Sequence, residues 1–177
     1  VINEARSQVT KTADIYTDLS GIAKGYAVDE LAAFFDSLQI SSYFLEVGGE
    51  LKIKGLKSDG ESWVPAIERP VDTAPQIFAV FYSNGEEIAV AGSGDYRNYF
   101  EQAGVRYSHE IDPRTGRPVT HNLAAAYVID ESAARADALA TAFMVMGFDA
   151  AKGLAERENQ AVYLIYRGAD EDFDAYF

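Results

Sequence analysis

The chain has 177 residues, of which 48% are hydrophobic and 24% charged, and its formal net charge at pH 7 is -13. This length and composition predict one folded domain, residues 1–177, with a substantial core. The negative charge argues against nucleic acid or an anionic membrane surface as a partner, and the absence of cysteine excludes disulfides and thiolate metal ligands.

The first half of the chain begins with a glycine-bearing loop, residues 18–25, that leads into a helix. Apolar residues at steps of three or four predict this helix over residues 23–39, with Ser20 as a candidate cap. Strands are predicted at residues 43–47, 51–54 and 63–68. The first two flank Gly48-Gly49-Glu50, which we expect to form a hairpin turn.

The second half alternates strong turn signals with short strands. Asn84-Gly85 predicts a hairpin between residues 77–82 and 87–91, and residues 91–95 predict a second glycine-rich loop. Further strands are expected at 107–111, 124–129 and 161–166, and helices at 133–146, where Gly147 is a stop signal, and 149–158. The acidic residues 168–177 are expected to lie against the body. These elements favour an α+β domain with a mainly antiparallel sheet, and the irregular alternation of strands and helices argues against a doubly wound parallel sheet.

One of the two histidines, His109, lies beside a turn that contains Asp112-Pro113 and Thr115-Gly116. In a chain without cysteine it is the natural candidate for acid–base chemistry near neutral pH. The alternative is that His109 ends a strand and faces water. The other histidine, His121, has no evident partner in the sequence, and we expect it at the surface.

Asp137 and Thr141 lie four positions apart on the helix predicted at residues 133–146. This spacing places both oxygen-bearing side chains on one face, among apolar neighbours where an unpaired carboxylate is costly to bury. Oxygen ligands of this kind suit Mg²⁺ or Ca²⁺ rather than zinc. The alternative is that Asp137 caps the helix start and Thr141 bonds to a carbonyl one turn earlier.

The two predicted glycine loops could bring backbone groups close to a phosphate. A helix starting beyond residues 18–25 would direct N–H groups at an anion, and Lys24 would add a positive charge. Ordinary turn chemistry explains both loops equally well, because neither matches a P-loop or a dinucleotide fingerprint. The sequence also contains no Gly-x-Ser-x-Gly elbow and no His-Glu-x-x-His motif, which argues against a serine hydrolase and a zinc protease.

Five ordered segments together resemble the FAD:protein FMN transferase family, also called the ApbE family. They are D-L-S-G-I-A-K-G-Y-A-V-D at 18–29, V-G-G-E at 47–50, A-G-S-G-D-Y-R-N-Y-F at 91–100, Y-S-H-E-I-D-P-R-T-G-R-P at 107–118 and A-D-A-L-A-T-A at 136–142. The resemblance implies an ApbE-like, T-fold-related domain. It also implies an enzyme that cleaves FAD at its pyrophosphate, links FMN to a threonine hydroxyl of an acceptor protein and releases AMP.

The resemblance also implies roles for individual residues. Asp137 and Thr141 would hold Mg²⁺, with main-chain oxygens near Gly21 and Ala140 completing the site. His109 would take the proton of the threonine hydroxyl. Asp18 and Lys24 would contact FAD, and Ile111 would add backbone contacts.

Partners and location follow from the same resemblance. The family's acceptors are subunits of membrane redox pumps of the Na⁺-translocating NADH:quinone reductase and Rnf types, and its members are typically exported, often as lipoproteins. We therefore expect a periplasmic or cell-envelope protein, lipid-anchored in its full-length form. The sequence itself shows neither a signal-peptide pattern nor an apolar run of the roughly 20 residues that span a bilayer.

The sequence departs from the family pattern in two places. Only 17 residues precede Asp18, whereas family members carry a substantial N-terminal portion that contributes to the flavin pocket, so we expect the C-terminal part of the fold. Glu50 also stands where Asp or Asn usually follows the two glycines. Two other functions stay open: an FAD pyrophosphatase that releases FMN and AMP, and a non-catalytic FAD-binding module.

Overall fold

The computed structural model describes residues 2–71, 73–96, 99–102, 105–168 and 172–177. Its helices are α1 (Ser20–Ser37), α2 (Ala133–Met146) and α3 (Phe148–Glu158), with one 3₁₀ turn at Glu4–Arg6. Its strands are β1 (Ile2–Asn3), β2 (Gln8–Val9), β3 (Tyr43–Val47), β4 (Glu50–Gly55), β5 (Ala66–Glu68), β6 (Ile77–Val80), β7 (Gly85–Gly94), β8 (Tyr99–Gln102), β9 (Val105–Ser108), β10 (Ile111–Asp112), β11 (Arg117–Pro118), β12 (Leu123–Asp130), β13 (Ala161–Arg167) and β14 (Phe173–Tyr176).

A six-stranded sheet forms the centre of the molecule, in the order β14-β13-β12-β7-β4-β3. Every neighbouring pair in it is antiparallel. Four two-stranded ladders surround it: β1 with β2, β5 with β6, β8 with β9, and β10 with β11. The predicted α+β class with a mainly antiparallel sheet is therefore confirmed, and residues 173–176 extend the sheet's edge as β14.

The main core lies between α2 and the strands β7 and β12. Phe143 and Met144 of α2 are fully buried against a surface of small and β-branched residues, including Ala126 and Val128. The alanines let the helix approach the sheet closely, and the large side chains then fill the space between them. Within the described residues, none of the helices is both long and apolar enough to cross a membrane.

Helix α1 packs across α2 and supplies part of its N-terminal cap. Asp29 of α1 accepts the backbone N–H groups of Ala133 and Ala134, both at 3.0 Å, and the Ser132 hydroxyl at 2.8 Å. Ser132 in turn caps α2 by accepting the Arg135 N–H at 3.2 Å. These bonds satisfy donors that a helix start leaves without intrahelical partners, and they fix the two helices relative to each other.

The predicted hairpin between residues 77–82 and 87–91 is wrong, although its turn forms. Asn84 and Gly85 adopt positive φ angles of 53° and 80°, and the Glu86 N–H donates to the Ser83 carbonyl at 2.9 Å. However, β6 pairs with β5, while β7 pairs with β4 and β12. The Ser83 N–H bonds to the Trp63 carbonyl, so the segment before the turn is already paired elsewhere.

The second predicted glycine loop is also wrong, because residues 91–94 belong to β7 and pair with β12. The glycines are needed for close approach rather than for a turn. A Cβ at Gly92 would lie 2.6 Å from the Tyr127 ring, and one at Gly94 would lie 2.5 Å from the Tyr96 ring.

The first predicted loop ends earlier than expected, because α1 already begins at Ser20. Gly21 and Lys24 therefore lie in its first turns. Ser20 does not cap the helix: the N-cap position is Leu19, and the Ser20 N–H donates to Asp18 Oδ1 at 2.6 Å. Asp18 is the residue that provides a side-chain acceptor at this helix start.

Two strand predictions have shifted bounds. Of residues 63–68 only 66–68 form a strand, and the strand predicted at 107–111 is divided between β9 and β10. His109 and Glu110 lie in the break between them.

Candidate functional site

A cleft of about 1030 Å³ opens beside the start of α1 and the middle of the central sheet. Seven of the eight residues that the sequence predicted for a site line it: Asp18, Gly21, Lys24, His109, Ile111, Asp137 and Thr141. The eighth, Ala140, is fully buried in the core and is not among the cleft-lining residues. Residues from opposite ends of the chain thus meet at one place.

Asp137 lies one turn into α2 and is only 3% exposed. Its Oδ2 accepts the backbone N–H of Gly25 at 2.9 Å. In a regular α-helix that N–H would bond to the Gly21 carbonyl, so Asp137 competes with this carbonyl for its donor. The prediction that Asp137 caps the helix start is wrong, because Ser132 is the cap.

Thr141 lies one turn after Asp137 on the same face of α2. Its Oγ1 lies 3.2 Å from Ser93 Oγ of β7. The alternative prediction, that this hydroxyl bonds to a backbone carbonyl one turn earlier, is therefore wrong. A Cβ at Gly21 would lie 3.1 Å from Thr141 Cγ2 and 3.2 Å from its Oγ1. Gly21 therefore brings the backbone of α1 directly against the threonine side chain.

The oxygen atoms of this cluster suit a magnesium ion. Within the described part of the chain, no group of three or more His, Cys, Asp or Glu residues is placed to hold a metal, so a cage made only of charged side chains is excluded there. One buried carboxylate, a hydroxyl and nearby backbone carbonyls are hard ligands, and Mg²⁺ is commonly held by one or two carboxylates together with substrate phosphates. The lack of a side chain at Gly21 leaves its backbone accessible at this point.

The charges that line the cleft are mostly negative. Asp18, Glu46, Glu68, Glu110 and Asp137 line it, and Lys24 is the sole lysine or arginine among the described residues that do so. Burial raises the pKa of Glu110 to about 7, with a further contribution from the negative charge of Asp95. An anionic ligand would therefore require an additional cation in this cleft.

Lys24 reaches across to the turn between β3 and β4. Its Nζ lies 2.7 Å from Glu50 Oε1 and donates to the Gly48 carbonyl at 3.3 Å. Glu50 is only 1% exposed, whereas the Lys24 side chain is 46% exposed. Burial raises the pKa of Glu50, Lys24 opposes that rise, and the charge of Asp137 adds to it.

His109 is exposed to solvent between β9 and β10 and lines the cleft. It follows the end of β9 directly and faces water, as the alternative interpretation of the sequence expected. The same position also lies at the cleft, so the two interpretations are compatible. The turn beyond it is closed by the Gly116 N–H, which donates to the Asp112 carbonyl at 2.8 Å, and Gly116 has a φ of 65°. Asp112 is held in turn by a two-nitrogen contact from Arg114.

Sequence reasoning missed Glu110, although it lies between two predicted residues. Its side chain is 8% exposed, and the Ser108 hydroxyl donates to its Oε2 at 3.3 Å. Ser108 and Glu110 are buried while His109 is exposed. The available signal was this two-residue alternation, which turns Glu110 inward whenever His109 points outward.

Sequence reasoning also missed two tyrosines in the cleft, Tyr96 just after β7 and Tyr127 on β12. Tyr96 donates its hydroxyl to Glu68 Oε2 at 3.2 Å, and Tyr127 donates to the Glu68 carbonyl at 3.4 Å. Their rings lie over glycines of β7. The cleft therefore offers aromatic surface beside an ionic region, which suits an elongated ligand that carries both rings and charge.

The predicted surface position of His121 is wrong. Its ring is partly buried, with Nε2 2.7 Å from the Met144 carbonyl near the end of α2. A Cβ at Gly147 would lie 2.8 Å from the ring, so the glycine that ends α2 also makes room for His121. This histidine is not among the cleft-lining residues.

The ApbE family model matches residues 1–165 of the chain. The chain is similar in sequence to proteins named FAD:protein FMN transferase. The one from Vibrio cholerae is 44% identical over 163 residues, which cover 92% of this chain and 48% of the relative. That of Escherichia coli is 43% identical over 172 residues, which cover 96% of this chain and 48% of the relative. The chain thus spans about half the length of these relatives.

Solved structures agree with the sequence matches. The apo flavinyl transferase ApbE of Pseudomonas stutzeri superposes with a TM-score of 0.77 at 43% identity, over 90% of this chain and 48% of that one. The ApbE protein of Thermotoga maritima gives a TM-score of 0.82 at 32% identity, over 98% of this chain and 55% of that one. The family match, the sequence identities and the shared fold establish together that the chain belongs to the ApbE family.

Proposed function

We propose that this chain carries active-site residues of a Mg²⁺-dependent FAD:protein FMN transferase. The observation that carries the proposal is the convergence of Lys24, His109, Asp137 and Thr141 on one cleft, in a chain whose similar relatives are named for this activity. The ionic region of the cleft suits a diphosphate, and the tyrosines beside it suit a ring system. Both chemical features occur in FAD.

Asp137 and Thr141, with backbone oxygens near Gly21 and Ala140, would hold Mg²⁺, which supplies positive charge against the anionic diphosphate. Lys24 and the start of α1 would contribute further positive potential to the same group. Asp18, whose Oδ1 accepts the Ser20 N–H, would shape this helix start and contact FAD. Ile111 would contribute backbone contacts to FAD from β10.

We propose that His109 acts on the attacking hydroxyl. In the proposed reaction the threonine oxygen forms a bond to the FMN phosphorus, and the bond between that phosphorus and the bridging oxygen breaks. The electron pair leaves with AMP, and the proton of the threonine hydroxyl passes to the His109 imidazole. The exposure of His109 allows a protein side chain to approach it from solvent.

The same exposure favours one alternative, an FAD pyrophosphatase. Water can reach His109 as readily as a threonine, and the products would then be free FMN and AMP. Separating the flavin products after incubation with FAD and Mg²⁺, with and without a threonine-bearing acceptor domain, distinguishes the two reactions. Protein-bound flavin formed in step with AMP supports the transferase, and rapid free FMN without acceptor supports the hydrolase.

Replacing His109 tests its role in either reaction. His109→Ala should lower the transfer rate by about 10³-fold, because a general base typically contributes 10²–10⁴-fold. FAD affinity should change less than about twofold, since the exposed ring does not support the core. His121→Gln, in the other histidine, is the matched control and should transfer FMN at the parental rate. Unchanged transfer by the alanine variant would remove His109 from the mechanism.

From the family resemblance we further propose that the acceptors are subunits of membrane redox pumps and that the protein acts in the cell envelope as an exported lipoprotein. Flavin incorporation into such subunits expressed with and without this protein tests the first point. Cell fractionation tests the second.

A further inference from the structure

Lysine–carboxylate pairs connect α1 with β4 near the middle of the helix, where Lys52 lies 3.2 Å from Asp29, and near each of its ends. Near its start, Lys24 of α1 pairs with Glu50 of β4 at 2.7 Å. Near its end, Asp36 of α1 pairs with Lys54 of β4 at 2.9 Å. Of the two pairs near the helix ends, only Lys24–Glu50 borders the cleft, so Asp36–Lys54 provides a comparison within the same two elements.

The two pairs differ in the burial of their carboxylates. The Asp36 side chain is 39% exposed, as expected for a surface ion pair of little energetic value. Glu50 is 1% exposed, and its Oε2 has no hydrogen-bond partner among the described residues. A buried carboxylate with one oxygen unsatisfied is unfavourable for folding. Stability alone therefore does not explain why Glu50 occupies this position.

The geometry of Lys24 does explain it. Its Nζ is held by Glu50 Oε1 and by the Gly48 carbonyl. Gly48 has a φ of 61°, and a Cβ there would lie 3.1 Å from Lys24 Cδ. The lysine stem thus lies against the backbone at Gly48, where a larger residue would be strained and crowded. Its ammonium is held at the cleft wall by Glu50 and the Gly48 carbonyl.

We infer that Glu50 is a positioning residue, which acts through Lys24 by holding the ammonium toward the diphosphate of the ligand. The inference rests on the proposed function for the identity of that ligand. Because Lys24 is the sole lysine or arginine among the described residues lining the cleft, its placement determines how much fixed positive charge the protein itself offers there. In this chain the Glu50 side chain spans the distance from β4 to the Lys24 ammonium, and an aspartate on the same backbone would end one methylene short of it.

A double-mutant cycle with inorganic pyrophosphate at constant Mg²⁺ tests this inference on the full chain. Glu50→Asp keeps the charge and withdraws the carboxylate by one methylene. It should weaken pyrophosphate binding, measured by calorimetry, about 10-fold. In a Lys24→Met background the same change should alter binding less than twofold, because the residue through which Glu50 acts is gone. Asp36→Asn, which breaks the matched pair, should leave binding unchanged.

Two further measurements keep the test decisive. If Glu50→Asp does not fold, Glu50→Gln replaces it, with the same dependence on Lys24 expected. The ¹⁵N signal of the Lys24 ammonium should show slow proton exchange in the parental chain and fast exchange in the Glu50 variant. A Glu50 side chain that only stabilised the fold would not cause this change at Lys24. Equal losses with and without Lys24, tighter binding on mutation, or no pyrophosphate binding by the parental chain would overturn the inference.

The cycle is also independent of catalysis. A Lys24-dependent loss in a chain that never transfers FMN would support the positioning role and count against the proposed transferase. FMN transfer by the parental chain, combined with losses of pyrophosphate binding that add independently for the Glu50 and Lys24 variants, would support the transferase and contradict the positioning role of Glu50.

Discussion

Glu110 should make the stability of the chain depend on pH near neutrality. Burial raises its pKa from 4.5 to about 7, so between these values the folded chain holds a proton that the unfolded chain has released. The free energy of unfolding should therefore fall as the pH rises from about 4.5 to 7, by about 3 kcal/mol. Urea unfolding at pH 5 and pH 8 measures this difference.

Glu110→Gln is the matching variant, since the amide keeps the shape and cannot ionise. It should match the parental chain near pH 5 and exceed its stability at pH 8. Burial also raises the pKa of Glu50, so a smaller dependence of the same sign should persist in the variant. An unchanged pH dependence in Glu110→Gln would show that Glu110 is not the group responsible.

At the scale of single residues, local spacing predicted part of the site. The four-residue step from Asp137 to Thr141 places both on one helix face, and both do line the cleft. The partner of Asp137 could not be predicted in this way, because Gly25 lies 112 positions earlier in the chain. Local patterns record which face a side chain occupies and contain no information about which remote backbone group meets it.

At the scale of elements, two helical glycines should respond in opposite ways to alanine. A Cβ at Gly25 would fall on the Ala133 carbonyl oxygen and 2.8 Å from Asp137 Cβ, so α1 and α2 could not keep their crossing. Gly25→Ala should therefore lower the free energy of unfolding by about 3 kcal/mol. Gly153 lies within α3 with nothing near its Cβ position, and Gly153→Ala should raise it by about 0.5–1 kcal/mol.

Denaturant unfolding of both variants measures the contrast, with Gly153→Ala as the control for the substitution itself. Equal stabilities would show that the helix crossing is not tight at Gly25. Sequence patterns could not distinguish these glycines, because both interrupt helical stretches in the same way. They differ only in what another element places beside them.

At the scale of the whole molecule, the class of fold could be predicted, whereas the pairing of its strands was predicted only in part. The bounds of β3 and α2 follow from periodicity and agree with the structure. The Asn84-Gly85 turn formed without its hairpin, because residues before the turn pair with the segment at residues 63–68. Turn chemistry determines a local bend, whereas competition among remote strands determines the partner.

The pairing of remote strands also forms the site. The first turns of α1, strand β7, the break between β9 and β10, and helix α2 each contribute to the cleft, although each is unremarkable alone. The order of the strands brings them together, so the site depends on segments that lie far apart in the chain.

The intact mass of an acceptor protein tests the central claim most directly. The chain would be incubated with FAD, Mg²⁺ and a threonine-bearing acceptor domain, with His109→Ala and a chelator as parallel controls. We predict that the acceptor gains the mass of one FMN, and that the gain disappears with either control. An acceptor whose mass stays unchanged with the parental chain, or rises equally with the His109 variant, would contradict the assignment of this cleft as the transferase site.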